Sequence, residues 1–119
     1  MNTDNLSVLG LTIDYGPYGW LEPYDPAWTP NTTDASGRRY CYANQHHIEL
    51  WNLSRFGRAL TPLLQAAEGI EQGLTVYRTT FERTYRELVA AKLGLETLED
   101  TAGEKLLADL LELLQACRD

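Results

Sequence analysis

Cysteine is scarce in this sequence: Cys41 and Cys117 stand far apart, in no CxxC or histidine-spaced pattern. That argues against a disulfide framework and against a structural zinc site. The neighbouring pair His46-His47 does not change this, because adjacent residues are not expected to face each other on a helix, so surface or capping roles are expected for them. No apolar run reaches the roughly 18 residues a membrane span needs. Met1 is not followed by a basic segment and an apolar one, so neither a signal nor a transit peptide is expected, and the cytoplasm is the default location. Basic residues are few as well. Ten lysines and arginines are scattered among seventeen acids, for a net charge of −7, which argues against nucleic acid as a partner, since phosphate binding needs a basic face.

What remains is the composition of one folded domain, residues 1–119, with no internal repeat and no low-complexity stretch. The chain is 44% hydrophobic and 23% charged, too apolar for a disordered tail, and long enough for a core with little to spare. Its first twenty residues contain an apolar run, 8–13, bracketed by polar groups. Asp4 and Asn5 precede the run and Asp14 ends it, where Tyr15-Gly16-Pro17 must stop a strand because proline has no N–H to donate. A β-hairpin over 6–13, turning at Gly10, would bring Asp4, Asn5 and Asp14 to one edge. Hard oxygen donors gathered in this way suit Mg²⁺ or Mn²⁺.

The protein-kinase plan contains the same parts: a catalytic-loop aspartate as base, an asparagine on one metal, and an Asp-aromatic-Gly triplet after a strand. Asp14-Tyr15-Gly16 reads as the triplet. Asp4 and Asn5 are adjacent, however, where ordinary kinases separate base and ligand. With Asn2-Thr3-Asp4-Asn5, residues 11–17, Tyr18-Gly19-Trp20, Tyr24-Asp25-Pro26, Asn31-Thr32-Thr33-Asp34, Gly37-Arg38-Arg39-Tyr40 and Trp51-Asn52-Leu53 in this order, the chain resembles the selenoprotein O family. That family is pseudokinase-like and moves AMP from ATP to protein hydroxyls. Departures from its pattern are the extra arginine at 38–39, Thr33 for serine, and Gln45-His46-His47 where Gln-Pro is usual.

The resemblance implies part of a kinase-like C-lobe, mainly α with a short N-terminal β-hairpin. It implies Asp4 as catalytic base, Asn5 and Asp14 as ligands of Mg²⁺ (or Mn²⁺) and ATP, and proteins as substrates. It places 1–20 as the metal-site hairpin and 21–45 as an activation-loop-like segment, whose aromatic side chains should fasten it to the core. From residue 46 apolar residues recur three and four apart. Helices are expected over 46–64, bent or divided at Pro62, over 70–93 with Gly94 as C-terminal cap, and over 103–118 behind a capping box at Thr101 and Glu104. Val76, Tyr77, Phe81, Tyr85, Leu88 and Val89 form the expected inward face of the second.

Three functions are open to such a chain. One is a fragment of the adenylyltransferase, inactive alone because the glycine-rich loop, strand lysine and phosphate-gripping arginines of the family are not in it. Another is a non-catalytic helical module that self-associates through exposed apolar surface. The third, a metal-dependent hydrolase using Asp4, Asp14, Asp25 and Asp34, is disfavoured, because aspartate is common in turns for local hydrogen bonding.

Overall fold

A computed structural model describes residues 3–9, 21–30, 36–64 and 68–117. These residues are mainly helical: α1 spans Gln45–Leu60, α2 spans Glu68–Leu93 and α3 spans Thr101–Ala116. Short 3₁₀ turns occupy Thr3–Asn5 and Tyr42–Asn44. The chain divides into two compact units, one of residues 1–21 and 25–74, the other of 22–24 and 75–119, with the boundary inside α2.

No strand occurs among the described residues. Of the expected hairpin, Leu6 and Ser7 are irregular and Val8 and Leu9 form a turn, in which the Ser7 hydroxyl accepts from the Leu9 N–H at 3.2 Å. A serine that bonds the backbone two residues on offers it an alternative to a ladder. Residues 10–13 of the hairpin lie outside the described residues.

In the first unit, α1 packs against both 3₁₀ turns. It ends at Leu60, four residues short of the expected limit, because Pro62 has no N–H to continue the ladder. Leu63 and Leu64 instead donate back to Leu60 O. Gly57 allows the close approach of Ile70, whose Cγ2 would lie 2.8 Å from an added Cβ.

In the second unit, α2 stops at Gly94, whose φ of +69° is the left-handed conformation that glycine adopts without cost. Leu95 N donates to Ala90 O and Gly94 N to Ala91 O, the paired bonds of a Schellman ending. Leu98 is 2% exposed, and with buried Ala90 it forms the small core of this unit. α3 begins two residues earlier than expected. Its cap is Asp100, not Thr101: Asp100 Oδ1 accepts from Gly103 N at 2.6 Å. The aspartate wins because its side chain reaches the third amide from extended backbone, as an N-cap must. The expected inward face of α2 is only partly buried. Val76 is 63% and Leu88 59% exposed, while Tyr77, Phe81 and Tyr85 stack along the helix at centroid distances of 6.2 and 6.1 Å.

Candidate active site

Asp4 and Asn5 lie in the 3₁₀ turn that packs on α1, and the Asp4 side chain is exposed. A carboxylate placed so, on a short turn held by a helix, is open to solvent. Asp14 lies outside the described residues, so its approach to Asn5 is not part of this geometry. Carboxylate and amide oxygens are the donors a hard cation takes, and the set Asn5 and Asp14 therefore fits Mg²⁺ in chemistry. No group of three or more histidine, cysteine, aspartate or glutamate side chains is gathered for a metal among the described residues. Asp25 serves the backbone: its Oδ1 accepts from Ala27 N at 2.9 Å, an Asx turn.

The segment that follows is tied down mainly by its own carbonyls. Pro26 O accepts from Ala43 N and from Cys41 Sγ, both at 3.0 Å, and Trp28 O accepts from Tyr42 N at 2.8 Å. These bonds join residues 26–28 to 41–43. Gln45, the first residue of α1, donates its Nε2 to Arg39 O at 2.9 Å and Cys41 O at 2.7 Å. Tyr24, Trp28 and Tyr40 are half-buried, but Tyr42 is exposed, so the aromatics are only part of the fastening. Arg38 occupies the left-handed region at φ 50°, a conformation that costs an L-residue about 1 kcal/mol. Its Nη2 donates to Ala27 O at 3.1 Å, which offsets some of that strain and draws the loop closed.

Three features on α1 were not legible beforehand. His46 and His47 bring their ring centroids to 3.9 Å, against the expectation that neighbours point apart. Both lie in the first turn, where no preceding turn restricts χ1. Burial, and then the charge of His47, hold the His46 pKa below its usual 6.5. Asn52 is fully buried, with neither Oδ1 nor Nδ2 bonded among the described residues. Trp51 carries two cations over its ring, the Arg39 Cζ at 4.4 Å and the Arg55 Cζ at 4.7 Å from the centroid. Each such contact contributes about 0.5–1 kcal/mol at an exposed site. The spacing of Trp51, Arg55 and Arg58 by four and three residues was the available signal.

The ordered motifs and the helical segment behind them point to membership of one protein family. The relatives bear this out: the chain is 60% identical over 115 residues to the protein nucleotidyltransferase YdiU of Nitrosospira multiformis, covering 97% of this chain and 20% of that protein. The corresponding protein of Rhodopirellula baltica is 56% identical over 115 residues, covering 97% and 21%. That of Aromatoleum aromaticum is 53% identical over 116 residues, covering 98% and 21%. The family model described as protein adenylyltransferase SelO matches residues 1–118. The chain belongs to the SelO family, and it spans about a fifth of the length of the curated relatives it matches.

Proposed function

We propose that this chain forms the base and metal-binding segment of a SelO-type protein adenylyltransferase, within a protein-kinase-like C-lobe in the cytoplasm. The observation that carries the reading is the family match over residues 1–118, in which Asp4 and Asn5 share a 3₁₀ turn braced by α1 and Asp4 is exposed. In this mechanism Asp4 takes the proton of a serine, threonine or tyrosine hydroxyl on a protein substrate. The hydroxyl oxygen forms a bond to the α-phosphorus of ATP, the bond from that phosphorus to the bridging oxygen breaks, and pyrophosphate leaves with the electron pair. Asn5 and Asp14 would hold Mg²⁺, which when bound neutralises phosphate charge. A base of this kind needs hydrogen-bond reach and modest basicity, because positioning and charge neutralisation do most of the work in phosphoryl-type transfer.

The test is a chimera in which these residues replace the matching segment of the Nitrosospira multiformis relative, assayed with labelled ATP, Mg²⁺ and cell lysate. Asp4→Ala should leave ATP affinity nearly unchanged and slow single-turnover transfer by about 10²–10⁴, the usual general-base contribution. Asp14→Ala should remove nearly all transfer. Loss of ATP binding in Asp4→Ala together with an unchanged rate in Asp14→Ala would discard the assignment. The 119 residues by themselves should label no protein.

A second reading, a self-associating helical module, draws on the exposed apolar side chains of α2 and α3, including Val76, Leu88 and Leu113. Sedimentation of the 119-residue chain separates the two: a stable dimer that buries these side chains, together with an inactive chimera, favours the module.

A further inference from the structure

Charge is unevenly placed in this acidic chain. Residues 36–64 hold four arginines and a single glutamate, within a net charge of −7. Further along, Arg83 pairs with Glu87 and Arg86 with Glu104, while Arg78 makes no ion pair among the described residues. Among the described residues, Arg39, Arg55 and Arg58 make no ion pair. Trp51, Arg55 and Arg58 are spaced by four and three residues, which puts them on one stripe of α1, and all three are exposed, Trp51 to 37%. Arg39, half-buried, stacks on the same ring from the preceding segment, with its Nη1 buried and without a hydrogen-bond partner among the described residues.

We infer that Trp51, Arg55 and Arg58 form a docking stripe for an acidic segment of a partner protein, with Arg39 bracing the Trp51 ring. On the reading above, that partner is the protein that receives AMP. A guanidinium laid on an indole has surrendered rotamer freedom before a ligand arrives, yet its N–H fork stays available for bidentate bonds to a carboxylate. Tryptophan and arginine are also the side chains that dominate binding energy at protein interfaces. Length favours a peptide over a single phosphate. From Trp51 to Arg58 the helix advances roughly 10 Å, at about 1.5 Å per residue, the span of about three residues of extended chain. Several carboxylates in sequence can engage this stripe, whereas one phosphate fills one position.

Binding is measured directly, without catalysis, by the anisotropy of a fluorescein-labelled peptide in which a serine is flanked by glutamates, added to the 119-residue chain at low salt. Its counterpart with glutamines in place of glutamates should not bind. Arg55→Gln and Arg58→Gln, both at exposed positions, should each weaken binding about tenfold, in line with loss of a charge-assisted hydrogen bond. Arg83→Gln in α2 should have no effect. Binding should fall steeply as salt is added. Equal binding of the glutamine peptide, indifference to Arg55→Gln and Arg58→Gln, or an equal loss in Arg83→Gln overturns the inference. So does displacement of the peptide by ATP, which assigns the stripe to nucleotide phosphates, or salt-sensitive dimerisation lost in Arg55→Gln, which assigns it to the acidic half of a second copy. A chimera that transfers AMP while its stripe binds no acidic peptide sinks this inference and leaves the proposed function standing. Peptide binding with an inactive chimera does the reverse.

Discussion

Gly103 stands in the first turn of α3, where a Cβ would lie 2.8 Å from Leu98 Cα and 3.0 Å from both Leu98 C and Asp100 Oδ1. Two of these three atoms are backbone, in a residue that is itself 2% exposed, so the neighbour has little room to yield. The third is the oxygen that caps the helix. Gly103→Ala therefore sets overpacking, about 1–3 kcal/mol, and a weakened cap, about 1 kcal/mol, against a gain in helix propensity of at most about 1 kcal/mol. The net is a loss of about 1–3 kcal/mol. Gly73, in α2, provides the control, since nothing lies within 4 Å of its added Cβ. Gly73→Ala should stabilise by about 0.5–1 kcal/mol. Thermal unfolding followed by far-ultraviolet circular dichroism should move Tm down for the first variant and up for the second, at roughly 4 °C per kcal/mol for a chain of this size. Amide exchange in α3 should speed up in Gly103→Ala alone. A Tm for Gly103→Ala at or above that of the unsubstituted chain would refute the packing argument.

His46 should make stability depend on pH. Its pKa is lowered by burial first and by His47 second, so the unfolded chain takes up the proton more readily than the folded one. There is no penalty well above 6.5; it grows as pH falls through that value and is complete once the pH is below the folded pKa. His46→Gln should flatten the dependence of Tm on pH across this window, and an unchanged slope would reject the cause. Asn52→Leu should raise the stability of the 119-residue chain by about 1–3 kcal/mol, because it removes a buried amide that has no hydrogen-bond partner among the described residues. A fall in Tm on this substitution would show that the amide has a partner in solution.

Local signals along the chain settled much of this protein. Apolar spacing of three and four residues located α1, α2 and α3, since a helix face is set by neighbours within one or two turns. Gly94 announced the end of α2 because a left-handed cap is a single-residue preference. Asp4 and Asn5 were legible as the start of a family motif whose ordered pieces run through residue 53. Tertiary structure decided the rest. The 3₁₀ turn at Thr3–Asn5 rests on α1, far along the chain, and no local pattern encodes that contact. Capping at Asp100 in place of Thr101 followed from which carboxylate could reach Gly103 N. The meeting of Arg39 and Arg55 on Trp51 depends on the carbonyls at Pro26 and Trp28 folding the loop back, and on Gln45 fastening it to the helix. Periodicity reports which face of a helix is apolar, but only the packed chain determines what lies against that face, and for Val76 and Leu88 most of it is solvent.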